Sequence, residues 1–162
     1  MSSIRHLANI KIQDQYETPP ELFRKACIEY NVSPLVDVCA TIQNTKCDDY
    51  FNKAEDSLSK DWDFPFFMNP PYSRVFDFMK KAYYESKKWK VEGLILIYAK
   101  TDTKFWHSFI EGKAEVHFIK GRIKFFKNGF KTKNSAPYGS CFVIYRLDCK
   151  KWLYLKKKSV FS

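Results

Sequence analysis

Residues 93–99, Gly-Leu-Ile-Leu-Ile-Tyr-Ala, form an unbroken apolar run. A run this short cannot cross a bilayer, which takes about 20 residues. It also lacks the alternation that marks a strand with one wet face. It reads as a strand buried on both sides, and strands of that kind sit in parallel sheets covered by helices.

The flanking segments supply the rest of such a fold. Thr18-Pro19-Pro20-Glu21 has the pattern of a capping box with proline at the first helical position. Leu22, Phe23, Ala26, Cys27 and Tyr30 follow at helical spacing, which predicts an amphipathic helix over 18–30. Leu35-Val36-Asp37-Val38-Cys39 and Pro65-Phe66-Phe67-Met68 are short strand-like runs. The polar stretch between them has Tyr50, Phe51, Leu58 and Trp62 as its anchors. A second helix is predicted over 74–88, with Val75, Phe78, Met79, Ala82 and Tyr83 on one face. Asp102 is placed to cap a short third helix that turns Phe105, Trp106, Phe109 and Ile110 inward. Residues 116–119, 123–126 and 141–145 read as further strands, with Gly121 and Gly129 as turn punctuation. The expected fold is α/β: a compact, open, mostly parallel sheet with an antiparallel edge and flanking helices.

The chain carries 28 Lys+Arg against 18 Asp+Glu, a net charge of +10 that suggests a polyanionic partner, nucleic acid first. Hydrophobic residues at 45% exclude intrinsic disorder, and aromatics at 18% leave some rings for work outside the core. No transmembrane run or secretory leader is legible. The five cysteines, Cys27, Cys39, Cys47, Cys141 and Cys149, are odd in number and contain no Cys-x-x-Cys pair. Neither a disulfide framework nor a metal site is expected, and an intracellular, cytoplasmic setting is the simplest reading. His6, His107 and His117 are isolated and read as packing or surface residues. Without repeats or low-complexity linkers, residues 1–162 read as a single minimal domain, ordered over about 14–155, with no separate target-recognition domain.

Asn69-Pro70-Pro71-Tyr72 follows directly on a strand-like run. In open α/β sheets ligands bind at the carboxyl ends of strands. Two prolines fix the backbone and remove two N–H donors, so nearby carbonyls stay free to accept. The Asn69 side chain adds an acceptor beside them, and two acceptors match a planar amino group. The Tyr72 ring can stack on a planar heterocycle. A plain strand-to-helix turn would use the same residues.

Asn-Pro-Pro-Tyr after a strand resembles the signature of S-adenosylmethionine-dependent amino-methyltransferases, and more of the chain is similar to the phage-type DNA N6-adenine methyltransferases. The similar stretches are Tyr16-Glu17-Thr18-Pro19-Pro20-Glu21-Leu22-Phe23, Asp37-Val38-Cys39-Ala40-Thr41, Lys46-Cys47 with Tyr50-Phe51, and Leu58-Ser59-Lys60-Asp61-Trp62. They continue through residues 69–72, 100–107 (Lys-Thr-Asp-Thr-Lys-Phe-Trp-His), 121–125 (Gly-Arg-Ile-Lys-Phe) and 134–137 (Asn-Ser-Ala-Pro), in the family's order.

The resemblance implies a Rossmann-like class I methyltransferase that moves a methyl group from S-adenosylmethionine to adenine N6 in double-stranded DNA, with the target base flipped out. It implies that Asn69 and Pro70 grip the amino group, that Pro71 shapes the loop, and that Tyr72 stacks on the base. It places Thr18 and Pro19 along the methionine part of the cofactor. Asp37 would meet an amino group, and Cys39 and Ala40 would stand where many methyltransferases carry a glycine-rich loop. Asp61 and Trp62 would contact the cofactor's adenine. DNA contacts are expected from Lys100, Arg122, Lys124, Lys131, Lys133, Asn134 and Ser135. Alternation on one strand would point Arg122 and Lys124 the same way. The loop 127–133 mixes cations with Phe130, which suits phosphate tracking, and Lys150, Lys151 and Lys156–Lys158 add a basic tail. No metal is implied.

The same four acceptor-loop residues are compatible with cytosine N4 in DNA, with RNA bases, or with the glutamine amide of a release factor. A non-catalytic nucleic-acid-binding domain of the same fold is the alternative of another class. With so short a chain, low sequence selectivity or help from a second subunit, as in a homodimer, is expected. A phage or prophage in a bacterial host is the source that the resemblance suggests.

Overall fold

The computed structural model describes residues 13–147. In chain order the elements are α1 (Pro20–Tyr30), β1 (Val36–Asp37), β2 (Asp49–Tyr50), β3 (Phe66–Met68), α2 (Val75–Trp89), β4 (Gly93–Tyr98), α3 (Lys104–Phe109), β5 (Glu115–Phe118), β6 (Phe126–Lys127), β7 (Phe130–Lys131) and β8 (Ser140–Tyr145). The apolar run becomes β4, every residue of which is buried. The six-stranded sheet has the order β2-β1-β3-β4-β8-β5. The first four of these strands run parallel, and β8 alone opposes its neighbours β4 and β5. The antiparallel strand therefore lies one place in from the edge, and β5 closes the sheet.

Period-two alternation divides β4 between two cores. Ile95 and Ile97 join Met79 and Ala82 of α2 and Trp106 and Phe109 of α3 on one face. Leu94, Leu96 and Tyr98 join Ala26 of α1 with Ile123 and Phe125 on the other. At Gly93 an added Cβ would clash with Cζ of the Phe66 ring, so close strand packing favours glycine there. This arrangement is a Rossmann-like α/β fold.

Local expectations change at three places. The capping box does not form: Pro19 is the N-cap of α1, with no side-chain cap bond. A residue before proline is pushed out of the helical region, so Pro20 holds Pro19 extended (φ −58°, ψ 128°) and leaves Thr18 outside the helix. Asp102 does not cap α3 either. Thr103 is the N-cap, and its hydroxyl donates to the Lys100 carbonyl at 2.7 Å.

Residues 123–125 do not form a strand, and Phe126 enters one only as the first residue of β6. Ile123 and Phe125 are buried as the alternation requires, but the Ile123 and Phe125 carbonyls accept from Ala136 (2.7 Å) and Thr132 (2.8 Å) in the returning segment. Beyond them β6 and β7 pair as a hairpin around Asn128 and Gly129, whose φ angles are 52° and 78°. Two positive φ values make this a type I′ turn, for which Asn-Gly is the favoured pair.

Among the described residues no helix is long and apolar enough to cross a membrane, and Cys27, Cys39, Cys47 and Cys141 are free thiols. His6, Cys149 and the basic tail at 150–158 lie outside the described residues.

Candidate active site

From β1 the chain moves outward to β2, then returns to the other side of β1 as β3. The junction of β1 and β3 is thus a topological switch point, where the diverging connections open a crevice at the carboxyl ends. Asp37 ends β1, and Asn69 follows β3 directly. Thr18, Asp37, Cys39, Lys46 and Asn69 share one small cavity there.

The Asn69 amide donates from Nδ2 to the Tyr16 carbonyl at 3.1 Å. That bond sets the amide's orientation, because the reverse would oppose two acceptors. Its Oδ1 is buried and has no partner in the structure, and the same is true of the Thr18 hydroxyl oxygen. A buried polar atom left without a hydrogen bond costs about 1–3 kcal/mol. Two such atoms in one cavity mark a place that a polar ligand would complete.

Asp37 is buried, and burial pushes its carboxyl up to about 6. Backbone N–H groups of Lys46 (3.1 Å) and Cys39 (3.2 Å), then the Lys46 charge, oppose that shift. Burial in turn lowers the Lys46 ammonium, which donates to the Asn44 carbonyl. The Cys39 thiol is pushed up by burial and then by Asp37, so it is a neutral wall rather than a nucleophile. Ala40 is buried behind it, its N–H bonded to the Phe51 carbonyl at 3.1 Å.

Pro70 is buried, and Pro71 (φ −58°, ψ 126°) leads into a 3-10 turn over Tyr72–Arg74. Asp14 holds that turn through the Ser73 N–H (2.9 Å) and hydroxyl (2.5 Å). The Tyr72 ring lies flat on Tyr98, with centroids 3.9 Å apart and planes 10° apart. Both hydroxyls are buried, and burial raises both phenols. Tyr72 therefore packs on the second core with one face covered, rather than standing free of it as its type suggested.

The structure does not bring Asp61 and Trp62 to this cavity. α2 starts beyond the carboxyl end of β3 and runs back to the amino end of β4, so its last turn lies at the opposite end of the sheet. Asp61 is exposed there and pairs with Lys88 at 2.8 Å. Trp62 is wholly buried, its indole N–H donating to Ser57 at 3.0 Å and its backbone N–H to Glu85 at 2.8 Å. Trp62 belongs to the α2 side of the core, and Asp61 lies on the surface beside it.

Of the basic residues, Arg122, Lys124 and Lys131 line one groove with Pro19. Arg122 and Lys124 share that side by alternation, without a sheet strand, and Arg122 also donates to the carbonyls of Ala136 and Pro137. Lys100 sits 4.1 Å over the Tyr138 ring, while Lys133, Asn134 and Ser135 are exposed on the segment returning from the hairpin. His107 pairs with Glu111 at 2.6 Å, and His117 stacks on Tyr30. No group of three or more His, Cys, Asp or Glu side chains among the described residues is placed to hold a metal ion.

Sequence reasoning missed the structural use of residues 14–17. Their contacts with residue 69, residue 73 and the hairpin are all long-range, and no local pattern announces them. Lys46 carried a legible signal, a cation nine residues after a strand-ending Asp37.

A sheet with this strand order, and an Asn-Pro-Pro-Tyr loop beside a buried carboxylate at its switch point, has the architecture of a class I methyltransferase. A family model described as DNA N-6-adenine-methyltransferase (Dam) matches residues 7–158. The DNA N-6-adenine-methyltransferase of Haemophilus phage HP1 (strain HP1c1) is 28% identical over 144 residues, covering 79% of this chain and 83% of that relative. The chain belongs to the DNA N-6-adenine-methyltransferase (Dam) family.

Proposed function

We propose that the chain transfers a methyl group from S-adenosylmethionine to the N6 amino group of adenine in double-stranded DNA. The observation that carries this reading is the partnerless Asn69 Oδ1, buried beside Asp37 at the β1–β3 switch point.

The residues present fit the cofactor's polar ends. The Asp37 carboxylate suits an ammonium, since each oxygen keeps a lone pair beyond its one backbone N–H. The orphaned Thr18 hydroxyl and the Lys46 ammonium suit a carboxylate or hydroxyls. When bound, S-adenosylmethionine supplies an electrophilic sulfonium methyl group. At about 20 Å³ the cavity has room for roughly one water in this conformation.

Asn69 Oδ1 accepts from the N6 amino group and orients its lone pair, with the Pro70 carbonyl as second acceptor. As the N–C bond formed and the methyl's bond to sulfur broke, leaving a neutral thioether, positive charge would grow on N6, and preorganised acceptors favour that state over the neutral amine. The excess proton then leaves N6 for solvent. A paired adenine does not offer this edge, so the base must leave the duplex. Tyr72, backed by Tyr98, offers its remaining face to the flipped ring. Arg122, Lys124, Lys131 and the hairpin with exposed Phe130 follow the phosphates.

Incubation with methyl-labelled S-adenosylmethionine and duplex DNA, followed by mass spectrometry of the nucleosides, tests the reading. N6-methyladenine is expected. N4-methylcytosine would transfer the same acceptor chemistry to cytosine, and no labelled nucleoside would leave the binding-module alternative.

A further inference from the structure

Outside the acceptor cavity, a groove of about 750 Å³ opens between α1 and the segment 122–131. Its charged wall includes Arg24, a helix residue that no sequence pattern singled out, beside Arg122, Lys124 and Lys131. Glu21, at the first turn of α1, is its single carboxylate. Pro19, Leu22, Ile123 and Phe126 give it an apolar floor.

Three observations point to one ligand chemistry. The net balance along the wall, four cations against one carboxylate, favours a polyanion over a neutral or zwitterionic ligand. Arg24 is exposed, and no hydrogen bond or ion pair engages its side chain among the described residues, so its donors remain available. The groove also shares a wall with the acceptor cavity: Tyr16, Glu17 and Thr18 line the cavity, and Pro19 and Pro20 line the groove. The backbone bridge between Glu17 and Phe126 (2.8 and 2.9 Å) fixes the hairpin to that wall.

We propose that this groove holds the phosphodiester backbone of the strand carrying the target adenine, and that Arg24 of α1 is one of its phosphate contacts. The proposal rests on the methyltransferase reading for the choice of strand only. A planar guanidinium can hold one phosphate through two N–H groups, whereas Glu21 opposes the same charge. Approach from α1 would bring a phosphate track within one wall's thickness of Asn69.

The test is equilibrium binding of the full chain to a fluorescein-labelled 20-base-pair duplex at several salt concentrations, with an adenine-free duplex of mixed I·C and G·C pairs as the second probe. Arg24→Gln should weaken binding to both and lower the slope of log K against log salt by about 0.9, the loss of one phosphate contact. Arg24→Lys should restore most of the slope, and Glu21→Gln should tighten binding. Melting temperature reports any loss of fold, which an exposed side chain should not cause. An unchanged slope in Arg24→Gln would overturn the proposal, as would loosened binding in Glu21→Gln. Methyl transfer measured on the same duplex separates the two readings. A wild-type chain that binds with the full slope yet makes no N6-methyladenine would sink the catalytic reading and leave the groove standing.

Discussion

Asn69 donates its amide N–H to the carbonyl of Tyr16, 53 residues earlier in the chain, at 3.1 Å. One bond thereby aims the opposite end of the amide, an acceptor, into the cavity beside Asp37. An amide free to rotate would present donor and acceptor alike, so the site's chemical polarity comes from a backbone group remote in sequence.

Replacing Asn69 with Ala removes that acceptor without altering the strand that carries it. Methyl transfer should fall by at least about 10²-fold, the scale of losing one transition-state hydrogen bond, while DNA affinity changes little and melting temperature falls modestly as the Tyr16 carbonyl loses its partner. Retained turnover would remove Asn69 from the chemistry.

Asp37 ties stability to pH, and under the proposed function it would tie cofactor affinity to pH in the opposite sense. Its folded carboxyl titrates near 6 against a reference of 3.8, so the folded chain holds the extra proton between these values. Stability should therefore fall as pH rises from about 4 to about 6, by about 3 kcal/mol at roughly 1.4 per unit, and then level off. Urea midpoints of wild type and Asp37→Asn across this window should diverge, with the slope absent from the variant. Affinity for S-adenosylmethionine should instead rise through pH 6 as the carboxylate forms, and a flat calorimetric profile would detach Asp37 from the ligand's amino group.

Gly93→Ala sets a methyl group against the Phe66 ring at the start of β4. A loss of about 1–3 kcal/mol is expected from overpacking, with Phe66→Leu recovering part of it in the double variant. Chemical denaturation measures both, and additive losses would show that the two positions do not meet.

Asp61→Ala and Trp62→Phe distinguish a cofactor contact from a core role. The first should leave both melting temperature and cofactor affinity nearly unchanged, since its partner Lys88 is exposed at the far end of the sheet. The second strands the Ser57 carbonyl and should cost about 1–3 kcal/mol without changing cofactor affinity. A tenfold weaker cofactor in either variant would return the pair to the site.

Burial was legible in the sequence wherever it follows a period. The runs at 93–99 and 141–145, and the apolar stripe of α2, all became the elements their spacing indicated. Residues 123–126 show the limit, because alternation reports which side chains are buried and not which backbone groups pair. The failure at Thr18 is of another kind: a second proline overrode a capping pattern that was otherwise complete. For the site, Thr18, Asp37, Cys39 and Asn69 converge because strand ends meet at a switch point. Asp61 and Trp62 have no such constraint, and an acidic residue beside an aromatic one is equally a helix-packing pair.

The wall formed by residues 16–20 stands between the two openings. Were a ligand to displace this wall from the cavity side, the groove would change with it, and so would affinity for whatever the groove holds. Reciprocity requires the second ligand to change the first one's affinity by the same factor. Methyl donor and methyl acceptor would then be bound not as two independent guests but as the two ends of one balance, whose beam is a short, proline-stiffened piece of chain.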